Sequence, residues 1–128
     1  PLHEDSATVL LMERVASQEI VPVYSPEILR EYREVLSRKK FHIPLDAAAY
    51  LLEQMQGFGV FVNPSPSGAE LPDPKDLPFY EVVMDTRNVD SHLVTGNLKH
   101  FPKEPFIVTP RQMLNILDGK TPLSEADE

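Results

Sequence analysis

Apolar residues along the chain follow two different spacings, and the alternation between them predicts helices separated by short strands. Three stretches place apolar side chains three and four residues apart, as on one face of a helix: residues 6–16, 25–40 and 45–56. Four short apolar runs have the length of strands: residues 19–24, 60–62, 93–95 and 106–108. A chain that alternates helices and strands in this way favours an α/β fold with a mostly parallel sheet.

Two shorter helices complete the predicted elements. One begins at Pro78, and its Phe79, Val82 and Val83 are spaced to face the core. The other covers residues 110–117. The run at 60–62 is expected to be a brief buried strand, because all three of its residues are apolar.

The beginnings of three helices carry capping signals. Ser25-Pro26 and Thr109-Pro110 each place a side-chain oxygen directly before a proline, which suits the first turn of a helix. Ser6 is expected to cap the first helix in the same way. In open parallel sheets, ligands bind beyond the carboxyl ends of the strands. The start of the 25–40 helix, the 70–78 loop and the Gly96-Asn97 turn follow or flank such ends, so we expect them to converge.

Composition and charge limit the classes of function. A chain of 128 residues with 41% hydrophobic and 25% charged residues suits one globular domain. Its net charge of −8 argues against a protein that coats nucleic acid electrostatically, but it permits a small acidic metal site. The absence of cysteine excludes disulfides and thiolate chemistry. No apolar run is long enough to cross a bilayer, and a cytoplasmic location is the simplest interpretation.

Glu31 is the first candidate for an acidic site. On the helix that starts at Pro26, it lies about a quarter turn from the apolar stripe, where the core would meet a cleft. The alternative is a solvated residue that pairs with Arg30 or with neighbouring lysines, and geometry alone favours that alternative.

Other candidate residues also have ordinary structural alternatives. Asp76 precedes Leu77-Pro78 and suits a helix N-cap, and Asp73 suits a cap of the Pro74 turn. Asn97 after Gly96 suits a turn that needs a left-handed residue. The four histidines lack the HExxH spacing, so each is interpreted as a surface or packing residue. If the acids do meet, they form a site for Mg²⁺ or Mn²⁺, which prefer carboxylate oxygens.

Four stretches, read in order, resemble the PIN domain family: SPEILREYREVLSRKKF, DPKDLPFYEVVMDT, DSHLVTGNLKHF and FIVTPRQML. Within that family, the chain is most similar to the branch identified as toxins of toxin–antitoxin pairs. The resemblance implies a three-layer α/β/α sandwich around a parallel sheet. It also implies an Mg²⁺- or Mn²⁺-dependent endoribonuclease whose acids cluster at the strand ends.

The family's site residues fall on particular positions of this chain. The helix acid falls on Glu31, and the acid before the next helix falls on Asp76, with Asp73 close by as a further metal ligand. The acid after the fourth strand falls on Asn97, a neutral residue. Some family members have Asn there and a carboxylate three residues later, where this chain has His100. The resemblance therefore implies Glu31, Asp76 and Asn97 as catalytic residues.

RNA contacts are expected from the basic side chains that follow Asn97. Lys99 and His100 are the candidates for binding the RNA backbone.

The chain departs from the family at its beginning. The family opens with a central strand that ends in Asp-Thr-Asn, and residues 1–17 resemble the segment after that strand. We therefore expect an N-terminally incomplete PIN-like domain at 1–120, followed by an acidic tail at 121–128. This interpretation predicts weak metal binding and reduced cleavage.

The alternative function is a catalytically degenerate PIN fold that acts by binding an antitoxin or another copy of itself. Unpaired sheet edges recruit partners, so a homodimer or higher oligomer is expected.

Overall fold

The computed structural model describes residues 2–38 and 44–121, and for residues 2–6 it describes only the helical backbone. The helices are α1 (Leu2–Ala16), α2 (Pro26–Leu36), α3 (Leu45–Phe58), α4 (Leu77–Asp85) and α5 (Pro110–Leu117). The strands are β1 (Val23–Tyr24), β2 (Val60–Phe61), β3 (Leu93–Val94) and β4 (Ile107–Val108). None of the helices within the described ranges is both long and apolar enough to cross a membrane.

The strands pair in parallel, as the sequence predicts, but they form two small sheets. β1 pairs with β2, with Val23 opposite Val60. β3 pairs with β4, with Leu93 opposite Ile107. Parallel strands in a chain of alternating helices and strands confirm the α/β class.

Helix α4 connects the two sheets through the core. One core cluster contains Val82 and the other contains Val83, and the half-buried Phe79 packs against both. The remaining buried members are Tyr24 and Ile28 in the first cluster, and Leu93 and Ile107 in the second. The prediction that Phe79, Val82 and Val83 face the core is confirmed.

Two of the three predicted helix caps are confirmed. The fully buried Ser25 accepts a hydrogen bond from the Ile28 N–H at 3.3 Å. Thr109 forms a reciprocal capping box with Gln112. The cap at Ser6 was wrong: α1 begins at Leu2, so Ser6 lies inside the helix.

The ends of the middle elements differ from the sequence prediction. Helix α2 ends at Leu36, and Ser37 caps it by donating its N–H to the Glu34 carbonyl. The sequence predicts that this helix extends to residue 40, and residues 39 and 40 lie outside the described residues. Helix α3 continues to Phe58, and Gly59 follows as its C-cap.

The strand at β2 is not buried. Val60 is 47% exposed and Phe61 is 54% exposed, so the predicted buried strand was wrong. Among the described strands, β2 pairs only with β1, and no described strand pairs with its other edge. Apolar composition alone cannot distinguish such an edge strand from a buried one.

Candidate metal centre and cleft

Asp73, Asp76 and His100 form a compact group of potential metal ligands. One ligand atom from each lies within 4.8 Å of the others, and all three residues are half-buried. The Nδ1 of His100 lies 3.0 Å from the Oδ2 of Asp76. The sequence joins two of these residues in one loop, but only the fold brings His100 to them across 24 positions of the chain.

Asp76 occupies the N-cap position of α4 but does not use its side chain as a cap. Its backbone is in the right-handed helical region, with φ −83° and ψ −12°, whereas side-chain capping usually requires an extended residue. Pro78, two residues later, also has no N–H to donate. The capping alternative therefore does not describe Asp76, and its carboxylate reaches His100 instead.

Asp73 does play the predicted turn role. Its Oδ1 accepts the Lys75 N–H at 3.0 Å and caps the 3₁₀ turn Pro74–Asp76. The second oxygen forms no hydrogen bond with any described residue. Asp73 can thus hold the turn with one oxygen and offer the other to an ion.

His100 is carried by a second 3₁₀ turn, Leu98–His100, which follows β3. Its N–H donates to the Asn97 carbonyl at 3.0 Å. The sequence suggested His100 for RNA binding, and each histidine was interpreted as a surface or packing residue. The structure places His100 beside two carboxylates. The signal available in the sequence was its position three residues after Asn97, where the resemblance implies a carboxylate in some PIN domains.

Glu31 faces a neighbouring cleft and is not a member of the compact group. The half-buried Glu31 lines a cavity of about 340 Å³ between α2 and the segment that contains Pro74 and Lys75. Its expected ion pair with Arg30 does not form. Because Pro74 and Lys75 lie between Asp73 and Asp76, the cavity borders the turn that carries both acids.

Tyr32 of α2 packs against Phe79, one of the residues that line this cavity. Their ring centroids are 5.9 Å apart at 47°. Desolvation of the phenol and, second, the charge of Glu31 raise the pKa of Tyr32, although 37% of the residue surface remains exposed. The phenol is therefore neutral beside the cleft at physiological pH.

Asn97 and Lys99 are exposed and follow the end of β3. The φ of Asn97 is −130°, so this residue does not supply a left-handed turn. Its backbone N–H donates to the Thr95 Oγ1 at 3.0 Å, and its side chain caps nothing. Asn97 precedes the 3₁₀ turn Leu98–His100 and Lys99 lies within it, so both are close in sequence to His100, which contacts Asp76.

Comparison with known protein families gives a match over most of the chain. The family model described as PIN domain matches residues 2–99, which is more than half of the chain. The matched range contains every predicted site residue except His100, which follows it directly. No match was found among curated proteins or solved structures.

Proposed function

The chain belongs to the PIN domain family, and from that membership we propose that it is a divalent-metal-dependent endonuclease of single-stranded RNA with reduced activity. PIN domains suggest a nuclease function and generally use divalent metals. The observation that supports the proposal most directly is the carboxylate of Asp76, which is free of capping and lies 3.0 Å from His100.

The donor set suits a hard divalent cation. Two carboxylates and one imidazole converge, and Mg²⁺ and Mn²⁺ both favour carboxylate oxygens while keeping several waters. An imidazole donor favours Mn²⁺ over Mg²⁺, since Mg²⁺ takes oxygen ligands almost exclusively. Asp73, Asp76 and His100 would hold the ion directly, and Glu31 would hold it through a water across the cleft.

Hydrolysis needs an activated water and a neutralised phosphate. A bound ion would supply both, by lowering the pKa of its water and by countering the charge of the scissile group. Glu31 would accept a hydrogen bond from the attacking water and orient it. Asn97 would orient the water or the phosphate through its amide, and the exposed Lys99 would contact the RNA backbone.

Reduced activity follows from the charge of the site. The compact group within the described residues has two carboxylates, and Asn97 offers no negative charge where the resemblance implies an acid. Fewer anionic ligands bind a divalent cation less tightly. We therefore expect slow cleavage that requires millimolar metal.

A cleavage assay tests the proposal. The full chain is incubated with end-labelled single-stranded RNA in Mn²⁺, Mg²⁺ or EDTA. Slow cleavage is expected with Mn²⁺ and none with EDTA, and Asp76→Asn and Glu31→Gln should each reduce the rate at least about tenfold. Asp85→Asn, an exposed acid at the end of α4, is the matched control.

The outcomes separate the two parts of the proposal. Cleavage that persists in EDTA or in Asp76→Asn would contradict the metal mechanism. Fast cleavage that both site variants abolish would support the proposed nuclease function and contradict the proposed reduction in activity.

The toxin-like resemblance extends the proposal to a partner and a location. We propose that the chain acts in the cytoplasm as the toxin component of a toxin–antitoxin pair, and that a cognate antitoxin protein binds it. Co-purification of the chain with the product of an adjacent gene would support this pairing.

A second candidate function is binding through self-association, and the open sheet edges favour it. In β1, Tyr24 accepts the Val62 N–H at 2.9 Å, so the backbone groups of its neighbour Val23 point away from β2. In β3, the N–H groups of Leu93 and Thr95 donate to the β4 side, so those of Val94 point away. Such edges can pair with strands of a second copy.

A further inference from the structure

The cavity beside the candidate metal centre has its own chemistry. It measures about 340 Å³, which is within the range of small-ligand sites. The α2 wall consists of the polar residues Glu27, Arg30, Glu31 and Glu34, and the opposite wall consists of Pro74, Lys75, Pro78 and Phe79. The cavity therefore has one polar wall and one largely apolar wall.

The apolar wall is suited to a flat ring. Phe79 is half-buried and packs against both core clusters, so its position is fixed from below. Tyr32 contacts the same ring at 5.9 Å between centroids, which restrains its tilt. Unstacked nucleobases bind to proteins by stacking on aromatic side chains of this kind.

The polar groups of the cavity include both acceptors and donors. Glu34 is already paired with Arg38. Glu27, Arg30 and Lys75 form no side-chain hydrogen bond or ion pair with any described residue, so they are available to a ligand. The unpaired charges are thus mixed in sign, and a phosphate group here would face the carboxylates of Glu27 and Glu31.

We propose that this cavity binds a guanine base of the RNA substrate, which rests on the proposed ribonuclease function. Guanine presents two adjacent N–H donors, N1–H and the 2-amino group, which match the two oxygens of one carboxylate. Its O6 and N7 are acceptors, and Lys or Arg bind that pair in the commonest base-specific contact. Adenine and cytosine place an acceptor beside their amino group, which one carboxylate cannot satisfy.

The residues of the cavity then have separate roles. Glu27 accepts the N1–H and 2-amino donors, because it is exposed at the cavity and Glu31 is reserved for the metal water. Lys75 donates to O6 or N7. Phe79 stacks on the base, which places the adjoining phosphate near the turn that carries Asp73 and Asp76.

Binding of short RNAs in EDTA tests this assignment without cleavage. Fluorescence anisotropy compares labelled UUGUU, UUAUU and UUIUU, in which inosine lacks only the 2-amino group. The full chain should bind UUGUU about tenfold more tightly than UUAUU or UUIUU. Glu27→Gln should remove the difference between UUGUU and UUIUU, and Glu53→Gln, an exposed acid on α3, should not.

A variant of Lys75 tests the guanine assignment independently, because inosine keeps the O6 and N7 acceptors of guanine. Lys75→Gln should weaken UUGUU and UUIUU by the same factor, whereas Lys103→Gln should change neither. Equal affinity of the wild-type chain for all three RNAs would overturn the proposal. The comparison of the three RNAs uses only the wild-type chain, so its result is valid even if a variant fails to fold. If cleavage depends on Mn²⁺ but shows no preference for guanine, the proposed nuclease function stands and the proposed guanine site is contradicted.

Discussion

At the scale of single residues, Asp76 is a ligand candidate because its local backbone prevents it from acting as a cap. Asp73 stabilises a 3₁₀ turn in which Asp76 has a helical backbone conformation. Pro78 lacks one of the N–H groups that a capping side chain would bind. A carboxylate that is half-buried and not used by the backbone needs a cationic or donor partner. His100 provides a hydrogen-bond partner, and a metal ion would provide a cationic one.

The ion pair between Arg14 and Asp118 should make stability depend on pH. The two side chains lie 2.8 Å apart and join α1 to the end of α5. The hydrogen bond from Arg14 lowers the pKa of Asp118. A lowered pKa contributes stability above the ordinary aspartate pKa of about 3.9, and this contribution is lost as the pH falls through the lowered value.

Asp118→Asn should therefore unfold at lower urea concentration than the wild-type chain at neutral pH. The difference should shrink in acid and disappear once Asp118 is protonated in both states. Urea midpoints over a series of pH values measure this, with Asp85→Asn as the control acid. A difference that stays constant across the series would contradict the role of the pair.

The sequence predicted the acids of the site better than their arrangement. The resemblance to the PIN family implied Asp73 and Asp76 as site residues, and both lie in the compact group. His100 joins them only through the placement of β3 beside α4, which no local pattern encodes. Glu31 was predicted to hold the ion directly or through water, and it lies on the adjoining cavity wall. Helical geometry fixes its face but not its distance from the loop.

At the scale of elements, Gly59 connects α3 to β2 where the chain has almost no free space. A Cβ at Gly59 would overlap the Met55 carbonyl oxygen and lie 2.9 Å from the Pro22 oxygen. The Pro22 carbonyl also accepts the Val60 N–H at 2.8 Å, which begins the β1–β2 pairing. A side chain at position 59 would therefore disturb both the helix end and the sheet.

Gly59→Ala should destabilise the fold by about 1–3 kcal/mol, the usual cost of inserting an atom into a packed site. Gly57 provides a matched control on the same helix, because a Cβ there would meet nothing within 4 Å. Gly57→Ala should stabilise the chain by about 0.5–1 kcal/mol. Urea unfolding of both variants measures the contrast, and equal effects would show that the close approach at Gly59 is not limiting.

The starts of α2 and α5 were predictable from the sequence, whereas the extents of the strands were not. Ser25 and Thr109 cap their helices because the hydrogen bond is local, formed with an N–H only three residues away. Strand lengths depend on partners that are distant in sequence, and each strand here is only two residues long. The exposure of β2 depends on what packs over the strand, which its own apolar residues cannot specify.

At the scale of the whole molecule, two small sheets share one connecting helix. Phe79 packs against both core clusters, so the two halves should unfold together. The net charge of −8 opposes RNA binding over most of the surface. RNA should therefore approach where Lys75, Lys99 and a bound cation offset the acids locally.

The open edges should allow self-association at high concentration. Two-stranded sheets expose unpaired backbone groups, and β2 adds the exposed side chains of Val60 and Phe61. Light scattering after size exclusion should show a dimer or larger species that grows with protein concentration. Phe61→Lys, which places a charge on the edge, should shift the population toward monomer. A monomer at every concentration would argue against the binding function.

Isothermal titration calorimetry, in which Mn²⁺ is added to the RNA-free protein, tests the proposed metal centre most directly. We expect one weak site per chain, with affinity reduced at least about tenfold by Asp76→Asn and unchanged by Asp85→Asn. Circular dichroism of each variant confirms that the fold is retained. Equal Mn²⁺ affinity in the wild-type chain and in Asp76→Asn would contradict the assignment of Asp73, Asp76 and His100 as the metal centre.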